Sequence, residues 1–337
     1  MKAVAYTQAQ PIDNPEALVD VTLPDPMPER PHDLLVRVEA VSVNPVDTKV
    51  RRNRQPKPGR PEVLGWDAVG TVLTTNAEAH GFQAGDRVFY AGAIDRPGCD
   101  SELHVVDARL VGHAPKTLSS EQAAALPLTS LTAWELLFER LGVSPEGGEG
   151  ESLLIVGAAG GVGSMLIQLA SQLTRLKVIA TASRPESRRW VSELGAHAVI
   201  DHREPFLPQL QALGISSVEL VASLTHTTEH LDDIVSVLVP RGKLALIDDF
   251  PNLDIMKLKS KSLSLHWEFM YTRSLHNTPD IARQGQILGE IARLVDSGSL
   301  RTTHVDTLGV INADNLKRAH ALLESGRTIG KLVLSRF

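Results

Sequence analysis

The sequence predicts an α/β protein with a β-rich domain followed by a doubly wound parallel sheet. Three observations carry that reading. From the start to about residue 118, short runs of β-forming residues are broken by proline and glycine, the pattern of a compact barrel or sandwich. After Ser119 strands and helices alternate, which is how a parallel sheet with crossover helices is written. Between the two lies Leu153-Leu154-Ile155-Val156, an apolar run that breaks into glycines and resumes with helical spacing. It reads as strand, tight turn and helix, and a second apolar strand at 177–182 arrives after one helix, as a right-handed βαβ unit requires.

In the first region the strand-like runs are 17–23, 33–43, 68–73, 86–91 and 102–106. Pro24, Pro26, Pro28 and Pro31 mark the turn between the first two, because proline cannot donate to a strand ladder. Residues 51–61 hold Arg51, Arg52, Arg54, Lys57 and Arg60 among Pro56, Pro58 and Pro61, and are expected as a solvated basic loop. Ser119 reads as an N-cap, with a short helix that Pro127 ends and a longer one at 131–141 that stops at Gly142.

A glycine-rich loop at 145–150 then leads into the turn. Beyond it, strands are expected at 177–182, 198–200, 218–222 and 243–247, with helices at 185–194, 207–213 and 228–239 between them. Residues 263–269 supply the sheet's last strand. Helices at about 279–295 and 313–323, with strands near 305–310 and 331–334, complete the chain.

Length and composition bound the function. The chain has 337 residues with 42% hydrophobic content, enough for two domains with cores of their own. A net charge of −6 leaves no broad basic footprint, which argues against nucleic acid as a partner. The single cysteine, Cys99, excludes an internal disulfide and a zinc site built on several thiolates, and fits a reducing cytoplasm. Residues 1–6 run straight into a strand pattern with no leader-like apolar core. No apolar run approaches the roughly 20 residues of a membrane helix, so a soluble chain is expected.

The turn at Ala158, Gly160, Gly161, Val162 and Gly163 follows the G-x-G-x-x-G pattern with alanine in the first position. Free backbone N–H groups at such a helix start, without side chains in the way, favour a pyrophosphate. A carboxylate about 20 residues further on would accept the ribose hydroxyls of NADH. Ala182 stands there instead, followed by Ser183 and Arg184, with Arg188 or Arg189 one turn on. These groups suit a 2′-phosphate, and NADPH is the expected cofactor.

With these pieces in place the whole chain resembles the medium-chain dehydrogenase/reductase superfamily, and within it the quinone oxidoreductase branch, near the proteins named zinc-type alcohol dehydrogenase-like. The resemblance rests on Ser42-Val43-Asn44-Pro45-Val46-Asp47-Thr48-Lys49, on Pro61 to Gly70, on Ala84-Gly85-Asp86-Arg87-Val88, on Leu126 to Trp134 and on Ala158 to Gly163. It implies a GroES-like β-rich catalytic domain over 1–127 and 270–337 and a Rossmann dinucleotide-binding domain over 128–269. It also implies a substrate cleft between the domains, lined by the segment matching Asn44 to Lys49, and a homodimer with 263–269 as a plausible edge strand. In zinc-dependent relatives the ion is held by a cysteine near the Asn44 to Asp47 segment, a histidine in the segment matching Gly65-Trp66-Asp67, and a further cysteine or acidic ligand. Here the first segment has no thiol and Trp66 stands at the histidine position, so no metal is expected. His226 and His230 share i, i+4 spacing, but no third ligand is specified and a structural or cofactor-edge role is expected.

Without a metal, a reductase must hold the developing oxyanion by hydrogen bonds. Asn44 and Asp47 are the candidate polar groups, Tyr90 a further candidate for orienting or donating a proton, and Asp67 a supporting acid. The reading is a zinc-independent NADPH oxidoreductase acting on a quinone or an α,β-unsaturated carbonyl. A zinc alcohol dehydrogenase with unusual ligands and a non-catalytic NADPH-binding regulator are the alternatives.

Overall fold

A computed structural model describes residues 1–337, which fall into two units, Met1–Leu131 with Tyr271–Phe337, and Thr132–Met270. The first unit opens with β1 (Lys2–Tyr6) and β2 (Val19–Thr22), paired antiparallel. β3 (Asp33–Ser42) is its spine, with Leu34, Val36, Val38 and Ala40 pointing to one face at the two-residue period of a strand and fully or nearly buried. Then come α1 (Pro45–Asn53), β4 (Glu62–Val63), β5 (Ala68–Thr75), β6 (Arg87–Tyr90), β7 (Leu103–Asp107), β8 (Val111–His113) and α2 (Ser120–Ala124).

Helix α1 corrects the sequence reading. Residues 51–53, expected in a solvated loop, form its last turn, and Arg51 is fully buried against Glu324. The local start signals outweigh the basic run: Asn44 is the extended N-cap, Pro45 fits the first helical position, and the Asp47 carboxylate accepts the Asn44 N–H at 2.5 Å. Pro127 likewise does not end a helix but opens α3 (Pro127–Trp134), which continues into a π-helical turn over Glu135–Arg140.

The second unit is the alternating one: β9 (Ser152–Val156), α4 (Gly161–Leu173), β10 (Lys177–Thr181), α5 (Pro185–Glu193), β11 (Ala198–Ile200), α6 (Phe206–Ala212), β12 (Val218–Ser223), α7 (Thr227–Val237), β13 (Leu238–Leu246) and β14 (Ser264–Trp267). The strand order β11-β10-β9-β12-β13-β14, parallel throughout, reverses direction at β9, where a doubly wound sheet binds its ligand. Leu154, Val156, Ile179, Val221 and Leu244 pack under Phe206, Leu231 and Ile234 to bury one face. β9 is buried along its whole length, which is why it reads as an unbroken apolar run.

The remaining elements, α8 (Thr272–Leu275), α9 (Arg283–Asp296), β15 (His304–Thr307), α10 (Ala313–Glu324) and β16 (Lys331–Ser335), return to the first unit. There β16 pairs antiparallel with β3 and completes the sheet order β15-β16-β3-β5-β6-β8, with β7 on the other part of β3. No helix is long and apolar enough to cross a membrane.

Candidate active site and dinucleotide turn

The end of β3, the start of β5 and the start of β16 meet through backbone bonds: Ser42 N–H to Asp67 O at 3.0 Å and Val43 N–H to Leu332 O at 3.1 Å. This junction brings Asn44, Asp47, Asp67 and Lys331 together, each no more than 3% exposed. Asn44 donates from Nδ2 to Asp67 Oδ2 at 2.8 Å and, at 3.4 Å, to the Ser42 carbonyl. Asp67 Oδ1 accepts the Leu128 N–H at 2.7 Å. The Lys331 ammonium donates to the Val43 carbonyl at 2.8 Å and to Asn44 Oδ1, and pairs with Asp67 Oδ2 at 3.1 Å.

Asp47 is the unsettled member of the group. Its Oδ2 is bonded, but Oδ1 is buried with no hydrogen-bond partner. Burial raises its pKa from 3.8 to about 7, against the opposing pull of the Asn44 N–H, of Lys331 and of the Gly65 N–H, with Asp67 adding to the rise. Asp100 and the Tyr271 phenol are also pushed up, first by burial and then by Asp47. Gly65, at φ +103°, admits Asp100, since a Cβ there would lie 2.6 Å from its Oδ1.

The other candidates are built into the packing. The Tyr90 ring lies 5.4 Å from that of His104, whose Nε2 is 2.9 Å from the Pro97 carbonyl. A carbonyl only accepts, so Nε2 carries the hydrogen and Nδ1 accepts from the Tyr90 hydroxyl at 3.1 Å. Burial lowers the His104 pKa to about 4, which keeps the ring neutral in that role. The Tyr90 proton is therefore committed to His104. Trp66 donates to the Ala93 carbonyl at 3.1 Å and meets Tyr271 edge-on.

Zinc does not fit this donor set. Asn44 Oδ1 and Asp67 Oδ2 already share an ammonium, and Trp66 offers no lone pair. The Cys99 thiol donates to the Asp67 carbonyl at 3.6 Å, and burial, followed by Asp100, disfavours its thiolate. His226 and His230 do not supply a site either: His226 is the left-handed N-cap of α7, bonded to the Thr225 hydroxyl at 2.7 Å, while the His230 ring packs on Phe206.

In the second unit, Gly157 (φ +79°) turns the chain out of β9 and is tied to the end of β10 by a 3.1 Å bond from its N–H to Thr181 Oγ1. Gly160 is the extended N-cap of the 13-residue α4, with no side chain capping the helix start. The glycines differ in purpose. A Cβ on Gly163 would lie 2.4 Å from the Ala158 carbonyl oxygen, whereas one on Gly160 would meet nothing nearer than Gly157 O at 3.7 Å. Gly163 lets helix and strand pack, and Gly160 leaves open space at the helix start, which suits a pyrophosphate. Gly161 and Val162 form the first turn behind it. The turn thus fits a nicotinamide dinucleotide.

At the end of β10, Ser183 and Arg184 are partly exposed, and Arg184 Nε lies 3.8 Å from Glu186. Arg188 is used differently from the sequence reading: it donates to the carbonyls of Ala182 and Val199 at 2.9 and 3.0 Å and so braces the strand ends. Sequence reasoning missed Arg203, whose Nη2 reaches the Ser183 carbonyl at 3.3 Å while Asp201 holds the guanidinium. It also missed Lys331; the only local signal was a charge opening an apolar strand, Lys331-Leu332-Val333-Leu334.

Comparison with known proteins agrees with both halves. Residues 30–119 match the alcohol dehydrogenase GroES-like domain, and residues 194–334 match a zinc-binding dehydrogenase family. The chain is 39% identical over 338 residues to a zinc-type alcohol dehydrogenase-like protein of Staphylococcus epidermidis, covering 99% of each. Among solved structures it is similar to a zinc-dependent alcohol dehydrogenase candidate from Rhizobium etli, with 51% identity, TM-score 0.96, and 100% and 98% of the two chains covered. It is also similar to the quinone oxidoreductase of Escherichia coli complexed with NADPH, with 25% identity, TM-score 0.83, and 99% and 100% covered. The chain belongs to the medium-chain dehydrogenase/reductase superfamily of oxidoreductases, without the zinc ligands of its zinc-dependent members.

Proposed function

We propose that the protein is a zinc-independent, NADPH-dependent oxidoreductase that transfers hydride to a quinone or an α,β-unsaturated carbonyl. The observation that supports this is the closed Asn44–Asp67–Lys331 network, an amide donor backed by an ammonium, which is chemistry able to do the work of a Lewis acid. Hydride addition to a quinone or a conjugated carbon delocalises the charge onto oxygen and asks for less electrophilic help than an isolated carbonyl. The likeness to an NADPH-bound quinone oxidoreductase supports the same substrate class. NADPH supplies the hydride when bound. Asn44 donates to the substrate oxygen as charge develops there. Asp47, protonated below about pH 7 with Oδ1 unpartnered, supplies the proton. Tyr90 acts in this scheme through His104 as a fixed wall of the site.

The reading is tested by a panel of NADPH oxidation with quinones, enones, aldehydes and simple alcohols. Turnover confined to the first two classes is expected, and dinucleotide binding without turnover of any acceptor overturns the assignment. A pH profile tests Asp47. Its acid form is lost as pH rises through about 7, so kcat/KM falls above that pH, and Asp47→Asn lowers kcat by about 100-fold while flattening the profile. Because the folded pKa lies above the ordinary carboxylate value of 3.8, the same group stabilises the fold at low pH and loses that contribution as pH rises toward and through about 7. The melting temperature of Asp47→Asn is accordingly less sensitive to pH between 5 and about 8 than that of the parent protein.

The preference for NADPH rests on Ser183 and Arg184 at the end of β10, with no carboxylate at that position. Arg184→Ala is expected to raise KM for NADPH by about 10-fold or more and to leave that for NADH nearly unchanged, the loss of one charge-assisted contact. Equal effects on the two cofactors contradict it. We further propose a homodimer through the edge strand β14, where Trp267 is 50% exposed, Phe269 just beyond it is 45% exposed, and the Phe250 ring lies 5.3 Å from that of Trp267.

A further inference from the structure

Lys331 opens β16 and is 3% exposed, and each hydrogen of its ammonium has a partner: the Val43 carbonyl, Asn44 Oδ1 and Asp67 Oδ2. The Asp47 N–H of the capping box also points to the Asn44 side-chain acceptor, so the donors to Oδ1 all lie on one side of the amide. On the opposite side of the amide, Nδ2 faces Asp67 Oδ2 at 2.8 Å, and its second hydrogen has only the 3.4 Å contact to the Ser42 carbonyl. An ammonium can only donate and a carboxylate can only accept, so the two charges fix which way the amide points. The 3.4 Å contact is weak, and that hydrogen can pass to a substrate oxygen without breaking either ionic bond.

We infer that Lys331 is a positioning residue that acts through Asn44, holding the side-chain amide so that its NH2 remains the donor offered to substrate. This rests on the proposed reductase reading for its kinetic consequence, but the positioning itself does not. Without the ammonium, the buried Asp67 carboxylate loses its counter-charge and takes up a proton. It can then donate as well as accept, and only the Asp47 N–H of the capping box is left to specify the amide orientation. Burial already raises the Asp67 pKa, with Lys331 the strongest opposing influence.

The test has two arms on the full-length protein. In the first, exchange of the Asn44 side-chain amide protons with solvent is followed by NMR on protein labelled with 15N at asparagine, in wild type, Lys331→Met and the neutral pair Lys331→Met/Asp67→Asn. The neutral pair removes both charges together and guards against a variant that fails to fold. Exchange at least about 10-fold faster in both variants is expected, since each removes the fixed donor or acceptor. Unchanged exchange overturns the assignment.

In the second arm, NADPH-dependent reduction of 1,4-benzoquinone is measured. Lys331→Met and Asn44→Ala each lower kcat by about 30-fold with KM little changed, and the double variant is no worse than about 3-fold below either single, because one residue acts through the other. Multiplying losses contradict the inference. Inactive wild type with a slowly exchanging Asn44 amide sinks the reductase reading and leaves the positioning role in place.

Discussion

Alanine at Gly160 and alanine at Gly163 are expected to fail in opposite ways. Gly163→Ala drives a methyl group to 2.4 Å from the Ala158 carbonyl oxygen and 2.6 Å from its carbonyl carbon, atoms of the backbone that cannot step aside. Overpacking of this kind costs about 3 kcal/mol, and the melting temperature of the variant falls. Gly160→Ala meets no such obstacle. Its φ of −72° and ψ of 177° suit any residue, and its Cβ would find ordinary space. The fold is therefore unaffected, while the methyl occupies the approach to the uncapped start of α4. NADPH affinity, measured by nucleotide fluorescence, drops by about 30-fold, the equivalent of roughly 2 kcal/mol. If Gly160→Ala bound NADPH as tightly as the parent protein, the pyrophosphate would not lie on this turn.

Removal of the Asp67 side chain has the largest expected effect in the other unit. Asp67→Ala strands the Lys331 ammonium in a site where it is 3% exposed, and deprives the Leu128 N–H and Asn44 Nδ2 of their acceptor. Breaking one side of a buried pair costs about 4 kcal/mol, because the remaining charge is neither solvated nor matched. For a domain of this size that is a fall of about 10 °C in the melting temperature. Lys331→Met added to Asp67→Ala recovers a substantial part of it, since the uncompensated charge is then gone. A double variant as unstable as the single one would mean that Asp67 matters for its hydrogen bonds to Leu128 and Asn44, and not for its charge.

The parts of the molecule that were legible in the sequence are those fixed by neighbours along the chain. The turn at Ala158 to Gly163 could be read because a buried strand, the glycines and an apolar helix follow one another within 20 residues or so. The alternation after Ser119 gave the parallel sheet for the same reason, while its strand order is a finding of the structure. Helix α1 was hidden by its composition. Its basic last turn resembles a surface loop until Glu324, far along the chain on α10, accepts Arg51. The site's ammonium was hidden by distance. Lys331 and Asn44 are separated by 287 positions, and only the antiparallel pairing of β16 with β3 brings them together.

Arg188 shows the limit from the other side. Its position one turn into α5 suits a phosphate ligand, but its guanidinium satisfies two carbonyls at the strand ends. Asn44 and Asp47, by contrast, serve both as the helix start of α1 and as the polar groups of the site. A capping box and a candidate proton donor are here the same pair of residues, so neither role excludes the other.

In the proposed mechanism hydride transfer needs the buried Asn44–Asp67–Lys331 network and no metal. It is tested most directly by measuring metal content and NADPH-dependent quinone reduction on one preparation, before and after exhaustive dialysis against a chelator. Undiminished turnover at a zinc content far below one per chain is expected. Stoichiometric zinc, with activity lost on chelation and restored by zinc alone, would contradict it.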